Sequence, residues 1–160
     1  MKTFCIIPCG SKKVWDKNPN AGPTVAKEVY IGGFAKKCKE YAEKFYPLSW
    51  CILSAKYGFV FPHEIIPAPY NVSFNDKSTN PISVAELISQ SKEKGLNDYD
   101  DVVVLAGRNY VSIATQVFGT KHIITPLVGC KGIGYMIGKL NELINRDECF
   151  PPSTQKNFLC

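Results

Sequence analysis

Most of the features that would assign this chain directly are missing from it. No apolar run approaches the ~18 residues needed to cross a bilayer, so no membrane partner is expected. The stretch Met1, Lys2 and then Phe4 to Pro8 is too short for a signal peptide and reads as a first buried strand. The expected location is therefore cytoplasmic. There is no cysteine pair at C-x-x-C spacing, no G-x-x-x-x-G-K-S/T phosphate loop and no G-x-S-x-G nucleophile elbow. Gly132-Ile133-Gly134 is only a fragment of a dinucleotide fingerprint, placed after the last strand rather than the first. The chain has two histidines. His122 falls in a predicted strand and reads as structural, while His63, beside Glu64 in a long loop, is either an exposed loop residue or catalytic. Neither a metal nor a cofactor is expected.

What is present is one domain's worth of chain. With 160 residues, 45% of them apolar, the sequence can bury a core without metals or disulfides. The expectation is a single α/β domain over residues 1–150 with a C-terminal tail at 151–160. The seven cysteines are scattered. Cys5 and Cys51 lie in predicted strands and Cys38 on a helical stripe, where free thiols act as small hydrophobes. The net charge of +5 is uneven: residues 1–60 hold ten lysines against four acids, while residues 61–160 hold nine basic against ten acidic residues. Such an imbalance fits an anionic partner. A solvated lysine face on the first long helix, with Lys36, Lys37, Lys39 and Lys44, accounts for about half of it.

Short β-prone runs alternate with helical ones. Strands are expected at Phe4 to Pro8, Trp50 to Leu53, Asp101 to Leu105 and Lys121 to Thr125. Helices are expected at about Phe34 to Tyr46, after a Ser83/Glu86 capping box, at about Tyr110 to Phe118 and at about Ile133 to Asn145. The stretch from Ala55 to Asn80 holds three prolines and reads as a functional loop. Strand–helix alternation implies a mostly parallel sheet covered by helices on both faces. The strand order stays open.

In such sheets ligands bind beyond the carboxyl ends of the strands. Each strand here is followed by glycine and a cation: Cys9-Gly10-Ser11-Lys12-Lys13, Ser54-Ala55-Lys56-Tyr57-Gly58, Ala106-Gly107-Arg108-Asn109-Tyr110, and Pro126 to Gly134 with Gly129, Lys131 and Gly132. Glycines admit close backbone approach, helix-start amides hold anions, cations neutralise phosphate, and tyrosines stack on bases. Turns between strands and helices are also glycine-rich in any such fold. Convergence of four turns on one edge is what favours a pocket.

At these turns the chain resembles a family of small uncharacterised bacterial and phage domains. The shared parts are the lysine-containing first turn (Cys9 to Lys13), Ala26 to Tyr30, the I-L-S-A-K-Y-G core (Ile52 to Pro62), Pro69-Tyr70 and Pro126 to Gly134. Leu53 to Gly58 with Pro69-Tyr70 is also similar to segments of the bacterial peroxide-stress DNA-binding family. More distantly, the arrangement resembles the uracil-DNA-glycosylase-like domain of archaeosine synthases. The resemblance implies a three-layer α/β/α sandwich around a four-stranded, mostly parallel sheet of uracil-DNA-glycosylase type, and a nucleotide, nucleoside or nucleic acid as partner. Uracil-DNA glycosylases carry an acid just after the first strand; here that turn is Cys-Gly-Ser-Lys-Lys, and Asp16 is the nearest acid.

Two functions from different classes follow. One is an N-glycosidase-like enzyme acting on a modified nucleoside, free or in DNA or RNA. Lys12, Lys56 and Arg108 would contact the anion or base, or a lysine would attack the sugar. Glu28, Asp16 or Glu64 would be the acid or base. The other is a non-catalytic nucleotide or nucleic-acid binding module using the same pocket. In both, Cys9, Gly10, Ser11, Tyr30, Ser54, Tyr57, Gly58, Tyr70, Gly107, Tyr110, Gly129 and Gly132 would form the binding surface.

Overall fold

The structure is a computed structural model that describes residues 2–119 and 121–149. The C-terminal tail expected at 151–160 lies outside the described residues. In chain order the strands are β1 (Thr3–Pro8), β2 (Thr24–Val25), β3 (Trp50–Ser54), β4 (Gly58–Val60), β5 (Ile65–Ile66), β6 (Asp101–Val104) and β7 (His122–Ile124). The helices are α1 (Val14–Lys17), α2 (Ala26–Val29), α3 (Gly33–Phe45), α4 (Val84–Glu93), α5 (Arg108–Phe118) and α6 (Ile133–Asn145).

The main sheet runs β4-β3-β1-β6-β7. Four neighbours, β3, β1, β6 and β7, are parallel, and β4 pairs antiparallel with β3 at the edge. The expected four-stranded sheet is therefore a five-stranded mixed one. The extra strand comes from the segment read as loop. Phe59 and Val60 are too short a run to register as a strand alone, but they pair with Leu53 and Ile52. The side-chain amide of Gln90 on α4 holds this hairpin: Oε1 accepts from Phe59 N at 2.9 Å and Nε2 donates to the Tyr57 carbonyl at 2.9 Å. Gly58 has φ +78, and a methyl group there would collide with the Gln90 amide. Gly58 is thus a packing glycine of the hairpin.

Strand alternation sorts the core into two layers. Cys5, Ile7, Ile52, Val103 and Leu105 pack with Cys38, Tyr41 and Phe45 of α3 and Leu140 and Leu143 of α6. Phe4, Ile6, Cys51, Leu53, Val102 and Val104 pack with Leu87 of α4 and Ala114 and Phe118 of α5. Both faces of the sheet are covered, as the continuous Val102-Val103-Val104 run implies. Cys38 is buried on its helical stripe beside Tyr41, Ala42 and Phe45, as is Leu140 of α6, whereas Ile133 at the start of α6 is exposed. Helix α5 starts two residues earlier than its apolar pattern indicates, because Arg108 and Asn109 carry no apolar signal. The capping box forms: Ser83 Oγ accepts from Glu86 N at 3.1 Å. His122 lies in β7 with Nδ1 3.1 Å from Asp101 Oδ1, and His63 is exposed, its ring stacked on Phe61.

Candidate anion-binding cavity

From the central β1 the chain first fills the β3 side of the sheet and later the β6 side, so the connections diverge at the carboxyl ends of β1 and β6. A crevice at such a reversal is where open α/β sheets bind ligands. A cavity of about 980 Å³ lies there, at the upper end of the range for small-molecule sites. Its walls come from three of the four turns: Cys9 to Lys13 after β1, Ala106 to Tyr110 after β6, and Leu127 to Lys131 after β7. Gly32, Gly33 and Phe34, at the start of α3, complete it with Asn71, Asn75, Ile133 and Met136.

Three helix starts therefore face one cavity. The caps of α3, α5 and α6 are Gly32, Gly107 and Gly132, none with a side-chain cap, and none of these helices has an acid in its first turn. Amide hydrogens and the positive ends of the helix dipoles are left for a ligand. Lys12, Arg108 and Lys131 add three exposed cations, Lys13 adds a buried one, and no aspartate or glutamate lines the cavity. The α6 approach needs glycine: Gly129 has φ +98 and Gly132 φ +147, in the region that side-chain-bearing residues avoid.

Of the residues expected at the site, Cys9, Gly10, Ser11, Lys12, Gly107, Arg108, Tyr110 and Gly129 line this cavity, and Gly132 caps the helix entering it. Tyr110 closes its floor. The phenol lies 3.3 Å from Cys9 Sγ, the ring meets Phe74 edge-on, and burial pushes its pKa well up.

The second turn does not join the others. Because β3 continues into β4, Ser54 to Gly58 is a hairpin turn rather than the start of a helix. Lys56 is exposed and lies outside the cavity wall, with Nζ 5.3 Å from the Tyr57 ring and 5.8 Å from the Tyr70 ring. Ser54 Oγ bonds Tyr70 Oη at 2.8 Å and caps the turn by accepting from Lys56 N and Tyr57 N. Tyr70 Oη also bonds Tyr30 Oη at 2.5 Å, and the Tyr57 and Tyr70 rings meet edge-on. Of these groups, Tyr70 lines a smaller cavity of about 510 Å³, which it shares with Ser11, Lys13 and Asp16. Burial, with Cys9 nearby, raises Tyr70 to about 12, and burial drives Tyr30 higher.

The three candidate acids also stand apart from the main cavity. Asp16 Oδ2 accepts from Lys13 N at 2.8 Å. Glu28 is exposed and faces Lys39 at 3.9 Å. Glu64 bonds Lys94 at 2.5 Å and accepts from Phe61 N. Burial raises the Glu64 pKa, but these bonds outweigh it and leave the carboxyl below its usual value. Each acid already has a local structural partner.

Lys13 is the residue that sequence reasoning passed over. It is 7% exposed while its neighbour Lys12 is exposed. The reason is a β-bridge from Lys13 to Tyr30, which turns its side chain inward. The doublet Gly32-Gly33 and Lys131 were also legible as a helix start without a polar cap and as a cation beside it. Among the described residues no cluster of His, Cys, Asp or Glu is suited to a metal, and no helix is long and apolar enough to cross a membrane.

The class defined by this geometry is an α/β protein with a mixed five-stranded sheet and a glycine-capped cavity at its carboxyl edge. Residues 5–142 match the model of a family of unknown function, DUF6884, and the chain belongs to that family. It is 42% identical over 145 residues to the uncharacterized protein YfjM of Bacillus subtilis (strain 168), covering 90% of this chain and 96% of that one. No solved structure matches it.

Proposed function

We propose that the main cavity binds a nucleotide or a phosphate-bearing nucleoside derivative without cleaving its glycosidic bond. The observation that carries this reading is the meeting of three uncapped helix starts with Lys12, Arg108 and Lys131 in a cavity without acids. Amides and cations would take the phosphate. Phe34, Tyr110 and Met136 would take the flatter, less polar end. The covered parallel strands are compatible with a sandwich of uracil-DNA-glycosylase type, which supports a nucleobase-containing ligand.

A second reading is the N-glycosidase-like one. Cations and amides around a departing base would favour its negative charge, but hydrolysis needs a carboxylate to position water. With Asp16, Glu28 and Glu64 held elsewhere, binding is the better account.

The test is titration of the full chain with a nucleoside monophosphate, alongside mass spectrometry for released base. Binding is expected, falling steeply with salt. Replacing Arg108 and Lys131 together by alanine is expected to weaken it about tenfold or more. Unchanged affinity in that variant would refute the assignment, and release of free base would favour the enzymatic reading.

A further inference from the structure

We propose that Lys13 is a carbonyl-reactive amine, placed to form an imine with an aldehyde-bearing phosphorylated ligand in the main cavity. The inference rests on the anion-binding reading above and adds the class of ligand. Lys13 lines both cavities and is the one strongly buried lysine among the described residues. Its Nζ donates to the Ser11 carbonyl at 3.3 Å and lies 4.5 Å from the Tyr70 ring and 6.0 Å from the Tyr30 ring. Lys37, Lys39, Lys44 and Lys94 are each ion-paired with a carboxylate, and Lys13 is in none of the ion pairs of the described residues. The nearby acid, Asp16, faces the Lys13 backbone. Burial lowers the amine's pKa against the opposing pull of Cys9 and Asp16, which raises the neutral fraction. A lysine that needed only to supply charge would sit where Lys12 does, in water.

The chemistry balances without an added reagent. The neutral amine attacks the carbonyl carbon, forming the C–N bond as the C=O pair moves to oxygen. A proton passes from nitrogen to that oxygen, and the carbinolamine then expels water to leave the imine. The Tyr30–Tyr70–Ser54 hydroxyl chain, linked at 2.5 and 2.8 Å, stands beside the amine, and its raised phenol pKa values keep both tyrosines protonated. A phosphate held at the helix starts would fix the aldehyde near Lys13.

Glyceraldehyde 3-phosphate and plain glyceraldehyde serve as probes, with cyanoborohydride trapping on the full chain and peptide mass mapping. The phosphorylated probe is expected to modify Lys13 about tenfold faster than Lys12 or Lys56, and about tenfold faster than the plain aldehyde does. A nucleoside monophosphate should suppress the adduct. Lys13→Arg should lose the adduct; mapping on the native chain stands even where that variant misfolds. Adducts spread over exposed lysines, or a chain that binds nucleotide but leaves Lys13 unmodified, overturn the imine and leave the binding site intact. Modification of Lys13 that is indifferent to phosphate and nucleotide would instead overturn the anion site.

Discussion

Helix α4 begins on Ser83, whose Oγ accepts the Glu86 amide hydrogen at 3.1 Å, and carries Glu86 in its first turn. Helices α3, α5 and α6 begin on glycines, with no side-chain cap and no acid in the first turn. The first arrangement satisfies the helix start internally. The second forgoes that stabilisation, and its three instances converge on one cavity while α4 packs elsewhere with α5 and β4. A helix start left without its own acceptor is poised to take one from a ligand.

The sharpest way to break this contrast is to give a cavity-facing helix its own cap. Gly107 has φ −82 and ψ −169, a backbone that aspartate accepts, and a Cβ there would meet only Met136 Cε at 3.5 Å. Gly107→Asp is expected to leave the melting temperature unchanged or slightly raised while nucleotide affinity falls by about tenfold or more, since a carboxylate would occupy the anion's place. Retained affinity in calorimetric titration would mean that α5 does not contact the ligand.

The reverse experiment acts on α4. Ser83→Ala is expected to cost about 1 kcal/mol by denaturant unfolding, with nucleotide affinity untouched. Loss of affinity there would show that the two kinds of helix start are coupled.

The smallest effect is expected at Glu64. Its lowered folded pKa means that the contribution to stability is present above the ordinary value of 4.5 and lost as pH falls through the folded value. The pair with Lys94 is partly exposed, so Glu64→Gln is expected to cost under about 1 kcal/mol at neutral pH. The variant should also show a shallower loss of stability in acid. An undiminished acid slope would mean that other carboxylates carry it.

Much of this architecture is legible in the linear pattern. Val102 to Val104 reads as a doubly covered strand, Ser83 and Glu86 as a cap, and Ile133 to Asn145 as a helix, because each signal is local and repeats at its own period. The hairpin from β3 to β4 is not local in that sense. It depends on Gln90, some thirty residues away, binding the backbone of Tyr57 and Phe59. A turn containing glycine and lysine looks the same in sequence whether a helix or a strand follows it, so Lys56 reads as equivalent to Lys12 and Arg108 until the pairing is known.

The sequence by itself determined the alternation of strands and helices, the edge of the sheet where glycines and cations gather, and three of the turns that meet there. Tertiary structure alone decided which turn falls away and which lysine of the Lys12-Lys13 pair is buried. Strand order and the bridge from Lys13 to Tyr30 are long-range pairings. Their free energy comes from segments far apart in the chain, and no local pattern of residue types records it.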